Sequence, residues 1–481
     1  MLIDEARIVF VKKILLILGG VLILFLTITT LLNYRGSGYI YILFSIVSSI
    51  LLAHGFRKNA IFFDAFIGVI FWIGFWLKLS VRVSFANGLF HESVGAFDGS
   101  GSAFDRSLIV TMCGFAGLIL ASSMREKLIF KYPLVTEDLR DGGVVNMYVR
   151  FRRYIFIGFA LVVLIIALSN AIYGVYQKGS ITRTSLPFGF NGVFKWLLLF
   201  GLASFSAVIL KLEISSKRGN PYLVAFLSLF ENFFTNVSLL SRGMVLNFSA
   251  LMFGMLAEYK IRGHKASTRF VAIGSCAFLL LFAVSIYSVN LLRQFDVQNM
   301  VAYEGVELEL GTSNIDRAKP LILDRWVGIE GVMAVSSSSQ IGWNLWRSAW
   351  AERYNENVMA FYDANLITSP YQQTDFTKHH HISLPGILAF FFYPGSLLFL
   401  FFGMFVLGLM AAVIEISTFH MGKENLILCS LIAEVVAYRF ASFGYVPIQS
   451  YLLFGTIFLN LLIVYFIYKA VSKWASVGNK L

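Results

Sequence analysis

Apolar runs dominate this chain and limit what it can become. A helix that crosses a bilayer needs about 20 consecutive apolar residues. Stretches of that kind fall at about 14–32, 39–55, 60–80, 107–123, 153–173, 192–212, 221–239, 243–258, 270–291, 396–417, 425–442 and 448–470. The expected fold is therefore all-α, a polytopic membrane protein with about twelve transmembrane helices. The 221–258 stretch reads as two short helices or a re-entrant pair, turning at Ser241-Arg242-Gly243. The first run follows Lys12 and Lys13 without a small-residue cleavage site, which predicts a retained helix. Composition agrees: 58% of residues are hydrophobic and 14% charged, against about 45–50% and about 25% in soluble domains. That balance excludes an ordinary soluble enzyme, a disordered chain and a nucleic-acid binder, even with a net charge of +12.

Orientation follows from Lys and Arg in the short loops. One set of loops holds Arg57, Lys58, Arg125, Lys127, Lys131, Arg140, Arg150, Arg152, Arg153, Lys217, Arg218, Lys260, Arg262, Lys265 and Arg269. The alternate loops hold only Arg35, Arg82, Arg106, Lys178 and Arg183. Both termini are thus expected on the cytoplasmic side. Cys113, Cys276 and Cys429 all lie in apolar runs, so neither a disulfide framework nor a Cys-x-x-Cys zinc site is indicated.

The reading divides the chain into transmembrane helices 1–9 (1–291), a large outer loop with membrane re-entry (292–395) and transmembrane helices 10–12 (396–481). The stretch 292–382 carries seven Lys or Arg against eleven Asp or Glu, so it is acidic. Long loops in compact proteins usually carry function. Two amphipathic helices are expected in it, one over 321–335 and one over 342–354. In the second, Trp343, Trp346, Arg347 and Trp350 share one face. Such a stripe suits either an interfacial helix with rings at headgroup depth or an aromatic surface for a sugar or prenyl chain. After Lys378-His379-His380-His381, Pro385-Gly386 and Pro394-Gly395 bracket a short apolar segment. Two breaks so close together predict a half-helix dipping into the membrane.

The His triplet could supply a general base near neutral pH, or be a solvated turn. A metal site is disfavoured, because no His-Glu-x-x-His pattern or carboxylate cluster completes one. Outer-side cations are the second constellation. Lys78 and Arg82 are four apart at the end of the third run, and Arg106, Arg242, Arg293, Arg325 and Arg347 follow. Arg grips phosphate bidentately and stays charged, so such residues suit a diphosphate, although each alone could simply snorkel. Inside the runs, Glu231, Asn232, Asn236, Glu434 and Arg439 are costly to bury and are candidates by default. Glu434 and Arg439 are five residues apart, a poor intrahelical pair, so each needs a partner elsewhere or a watery cavity. No P-loop, Rossmann glycine fingerprint or Gly-x-Ser-x-Gly occurs. The first outer loop, Asn33–Gly38, has no carboxylate, which argues against a metal-dependent lipid-linked glycosyltransferase with an acidic loop there.

Ser241-Arg242-Gly243 between apolar runs, the late outer loop and Arg325-Trp326-Val327-Gly328-Ile329-Glu330-Gly331 together resemble the O-antigen (oligosaccharide repeat-unit) polymerase family. So does His381-Ile382-Ser383-Leu384-Pro385-Gly386 leading into Tyr393-Pro394-Gly395-Ser396. The topology likeness covers nearly the whole chain and the motifs about 240–395. The resemblance implies a GT-C-like fold in the bacterial inner membrane, with the active site facing the periplasm. It implies donor and acceptor oligosaccharides on undecaprenyl diphosphate, surrounding membrane lipid, a chain-length regulator as partner, and no cofactor or metal. On that reading His380 or His381, with Glu330 as the alternative, takes the acceptor proton. Arg242, Arg325, Arg347 and Arg82 hold the diphosphate, and Trp326, Trp343 and Trp346 line the substrate. An O-antigen ligase, a flippase or transporter, and a structural partner of a glycan export complex are the rival readings.

Overall fold

The computed structural model describes residues 2–90, 92–132, 142–178, 182–216, 219–241, 244–263, 267–304, 326–355, 358–367 and 382–478. It is 78% helix, and the described residues contain no strand. Every apolar run falls on a helix. The twelve are Leu2–Asn33, Gly38–Gly55, Phe62–Phe85, Gly101–Leu128, Gly142–Tyr173, Pro187–Ser215, Pro221–Ser238, Met244–Ile261, Thr268–Glu304, Leu397–Met421, Leu426–Ala441 and Ser450–Gly478.

Among the described residues, eight helices are long and apolar enough to cross a membrane: those at 38–55, 62–85, 101–128, 143–173, 187–215, 270–289, 397–421 and 447–474. Ile17–Asn33 adds a shorter apolar stretch. The helices at 221–238, 244–261 and 426–441 fall short of that standard. Helix 426–441 has only 16 residues, and 221–238 carries Glu231, Asn232 and Asn236 on its buried side. Both are largely enclosed by other helices, whereas the apolar core of 143–173 is mostly exposed. A helix surrounded by protein can carry hydrogen-bonding side chains that a lipid-facing helix cannot.

Helix starts are fixed by local capping. Side-chain oxygens of Ser100, Asn220, Ser396 and Asn425 each accept backbone N–H bonds from the first turn that follows. Helix 426–441 sits at the centre, and Gly254 of helix 244–261 lies against its first turn. Ser430 Oγ donates to the Ala250 carbonyl there at 2.7 Å. At the end of the bundle bearing the basic loops, Arg125 pairs with Asp64 at 2.7 Å, and both are buried. Beside them, Glu415 accepts the N–H groups of Phe62 and Phe63 at 2.8 and 3.0 Å and the Tyr132 hydroxyl at 2.5 Å. Glu415 satisfies two orphan helix-start donors, and the two carboxylates together lock helices 62–85, 101–128 and 397–421.

The late loop departs from expectation. Of the helix expected over 321–335, residues 321–325 lie outside the described residues; from Trp326 onward the helix begins only at Ile329 and runs to Ser337, and residues 329–336 are all buried. Ile329, Val332, Met333, Ala334 and Val335 leave no polar stripe to face water, so the segment packs inside the protein and is not amphipathic. Ser336 Oγ bonds Ser107 Oγ of helix 101–128 at 3.0 Å. The second loop helix is Trp343–Trp350. The half-helix between the two Pro-Gly breaks is Ile387–Phe391, and its first four residues are fully enclosed.

Candidate functional site

At the end opposite the basic loops, the segments that carry the sequence motifs meet. A π-helical turn, Trp72–Leu77, widens helix 62–85 there; such turns are frequent at functional sites. Gly74 within it lies so close to Val327 and Gly328 that a Cβ on either glycine would overlap the facing backbone. One turn later, Lys78 Nζ donates to the Trp326 carbonyl at 2.6 Å and to Glu330 Oε1 at 2.7 Å. Lys78 is 1% and Glu330 5% exposed. Burial pushes the Glu330 carboxyl above the usual carboxylate range, while the Lys78 ammonium pulls it back. Its Oε2 is buried without a hydrogen-bond partner. This pair ties the segment following Arg325 to the membrane helix.

The same segment touches the stretch that follows the His triplet. A Cβ on Gly331 would overlap the Pro385 carbonyl. Ser383 donates its N–H to Asp363 Oδ2 at 3.0 Å, and Gly386 donates to the Phe443 carbonyl at 3.0 Å. Glu352 accepts from Phe361 N at 2.6 Å and Val446 N at 2.8 Å. Burial raises its carboxyl, and the two N–H groups oppose that rise. Tyr362 is buried, and its phenol is pushed well up, first by desolvation and then by the charges of Glu330, Asp363 and Glu92. Glu330, Tyr362, Asp363 and the Ser383–Pro385 stretch therefore share one neighbourhood.

The Trp stripe has a third use that neither sequence reading anticipated. Trp346 packs on Phe390, Phe391 and Phe399, with ring centroids 4.8, 5.5 and 5.0 Å away. Trp350 meets Phe390 and Phe443, and Trp343 meets Phe399 at 5.1 Å. The helix thus clamps the Ile387–Phe391 segment, with Gly342 N donating to the Tyr393 carbonyl at 2.8 Å. Only Trp343, 52% exposed, keeps a large open surface. Arg347 is exposed, and Arg82 is partly buried one turn beyond Lys78. His380, His381, Arg325 and Arg242 lie outside the described residues, although Ser241, Trp326 and Ile382 beside them are described.

A second polar group, which sequence reasoning did not assemble, lies around the Ser241 turn. Asn170 Nδ2 donates to the Tyr176 carbonyl at 2.9 Å and the Ser238 carbonyl at 3.0 Å, and Asn170 Oδ1 accepts Tyr176 N at 2.8 Å. Lys178 N reaches the Leu239 carbonyl at 2.9 Å. The loop after helix 142–173 is thereby fastened to the end of helix 221–238. Lys195 Nζ lies 4.9 Å from the centroid of the Tyr176 ring, and Arg439 lies over Phe443 at 6.0 Å. Lys195 sits inside an apolar run, and a cation in that setting is a signal that could have singled it out. Phe443 connects the two groups through its carbonyl bond from Gly386 and its ring contact with Trp350.

No family model, curated protein or solved structure matches this chain. Among the described residues, no group of three or more His, Cys, Asp or Glu side chains could hold a metal ion.

Proposed function

We propose that this protein is an inner-membrane glycosyltransferase that polymerises undecaprenyl-diphosphate-linked oligosaccharide repeat units on the periplasmic side. In this reading all twelve helical runs belong to one membrane domain of GT-C-like type, with both termini cytoplasmic. The observation that carries it is the meeting of the Trp326–Gly331 segment, the Ser383–Gly386 segment and the outer end of helix 62–85 around the Lys78–Glu330 pair. The two loop segments are among the stretches on which the resemblance to repeat-unit polymerases rests.

The chemistry would be a direct displacement at the anomeric carbon of the donor sugar. His380 or His381 takes the acceptor hydroxyl proton. The C–O bond to undecaprenyl diphosphate breaks as the new glycosidic bond forms, and the diphosphate leaves as the anion. Arg325, Arg242, Arg82 and Arg347 compensate its charge, the task a metal performs elsewhere. Glu330, enclosed and bonded to Lys78, is better suited to positioning the Arg325 segment than to meeting a sugar hydroxyl.

The test is the surface-glycan ladder of a strain lacking the protein, complemented with wild type, Arg325→Ala or Arg242→Ala. Loss of long chains with single capped repeats retained supports polymerisation. Loss of all lipid A-linked glycan, with polymer accumulating on the carrier, indicates a ligase. Failure of lipid-linked repeats to reach the periplasm indicates a flippase.

A further inference from the structure

Helix 221–238 buries a stripe of oxygen-bearing side chains. Ser228, Glu231, Asn232 and Thr235 stand at i, i+3, i+4 and i+7, so they share one face. All four are enclosed, Glu231 at 2% and Asn232 at 0% exposure. The other side of the helix is apolar, where Phe226, Leu229 and Phe233 pack with Phe248, Phe278 and Phe282.

Hydrogen bonding within the stripe leaves it rich in acceptors. Ser228 and Thr235 donate their hydroxyls to the carbonyls of Val224 and Glu231, one turn back, at 2.9 Å each. Asn232 Nδ2 donates to the Ser228 carbonyl at 2.8 Å and to Glu231 Oε2 at 2.9 Å. Every side-chain donor of the stripe is thereby used within its own helix. Asn232 Oδ1 is buried and receives no hydrogen bond. Among the described residues no cation pairs with Glu231.

Charges on the neighbouring helices are engaged elsewhere. Arg152 pairs with Glu213, Arg262 pairs with Glu258, and Lys211 donates to the Lys423 carbonyl, all toward the basic-loop end. Of the helices packed on 221–238, three hold no titratable residue over 155–169, 196–210 and 244–257. The fourth holds only Cys276 over 270–286, and that thiol is exposed. The π-helical turn Leu197–Gly201 also packs on helix 221–238, and its Leu199 carbonyl accepts Asn247 Nδ2 at 2.8 Å. Such turns are frequent at functional sites.

A carboxylate enclosed among apolar helices keeps its charge only beside a positive partner. The orphan amide oxygen of its neighbour needs a donor or a cation as well. One positive charge between them meets both needs, and the lone pairs of the Ser228 and Thr235 hydroxyls add oxygen ligands of the kind hard cations take. A single carboxylate balances one charge, which selects a monovalent ion over a divalent one. We propose that the Ser228–Glu231–Asn232–Thr235 face binds a monovalent cation, a sodium ion or a proton, inside the membrane domain. The site is separate from the proposed transfer chemistry and does not depend on it.

Two measurements on the full-length protein in nanodiscs test this and separate the two ions. Binding of radioactive sodium is read by equilibrium dialysis. Dicyclohexylcarbodiimide, which modifies protonated carboxyl groups in apolar surroundings, is applied in sodium-free buffer, and the modified residue is found by mass spectrometry. Sodium binding that is lost in Glu231→Gln and weakened at least tenfold in Asn232→Leu assigns the site to sodium; sodium chloride, but not choline chloride, then protects Glu231 from the reagent. Modification of Glu231 that sodium does not slow assigns the site to a proton. Failure of the reagent to modify Glu231, together with sodium binding that is absent or unchanged in Glu231→Gln, overturns the proposal. Should Glu231→Gln fail to fold, the wild type decides alone, and an unmodified Glu231 overturns the proposal.

Discussion

The Lys78–Glu330 pair makes a demanding test of how the late loop is held. Both side chains are enclosed, at 1% and 5% exposure, and they bond at 2.7 Å. Removing one partner strands a buried charge, which costs about 3–5 kcal/mol. Lys78→Met and Glu330→Leu should therefore each lower unfolding stability by about that amount. The double replacement Lys78→Met with Glu330→Leu should recover at least about 2 kcal/mol of the combined loss, because an apolar pair of similar volume removes both desolvation penalties. Urea unfolding of the detergent-solubilised chain, followed by tryptophan fluorescence, reads all four corners of the cycle. The pH dependence carries a second signature. Since burial raises the Glu330 carboxyl, the folded protein holds that proton more tightly than the unfolded chain. The contribution is then fully present below the unfolded pKa of about 4.3 and is lost as pH rises through the raised folded value. Glu330→Gln should flatten the stability curve across that window. Single variants within about 0.5 kcal/mol of wild type, or an additive double, would refute the brace.

Other expectations follow from close contacts. Gly331→Ala drives a Cβ into the Pro385 carbonyl and should cost about 1–3 kcal/mol as the two segments part; loss of long glycan chains at normal membrane abundance would be its cellular signature. Glu352→Gln leaves one carbonyl oxygen for the Phe361 and Val446 N–H groups, stranding one donor at about 1–3 kcal/mol and lowering the melting temperature. Trp346→Ala removes the ring wedged between Phe390, Phe391 and Phe399 and should destabilise by about 3–5 kcal/mol, whereas a ring used only to touch substrate would leave melting unchanged. For orientation, green fluorescent protein fused after residue 481 should fluoresce, and alkaline phosphatase inserted between Asn355 and Val358 should be active; the reverse pattern inverts the topology.

How much of this was legible in the sequence depends on the range of the interaction. The twelve helices were readable because each apolar run is a local signal. The count of eight that qualify as spans by length and apolarity was not, since Glu231 and Asn232 are tolerated in 221–238 through neighbours that only folding supplies. Ile329–Val335 looked like the apolar face of a surface helix, but nothing in its order revealed that helix 101–128 would cover the other side. The Trp343, Trp346 and Trp350 stripe was correctly seen as one face. Its partners come from the broken segment around Phe390, which period counting cannot pair with it. Lys78 and Glu330 were both noticed, yet 252 residues separate them and no sequence rule joins them. Lys195 lies inside an apolar run, and a lone cation there is the cue to its place beside the Tyr176 ring.

The central claim is that this chain joins carrier-linked repeat units to one another. The most direct measurement reconstitutes the purified protein in liposomes with undecaprenyl-diphosphate-linked repeat units as the sole substrate, in chelator and without nucleotide sugar. The account predicts a ladder of lengthening glycans with one undecaprenyl diphosphate released per new linkage, abolished by Arg325→Ala. Repeat units that stay monomeric, or that move only onto a lipid A-core acceptor, would contradict it.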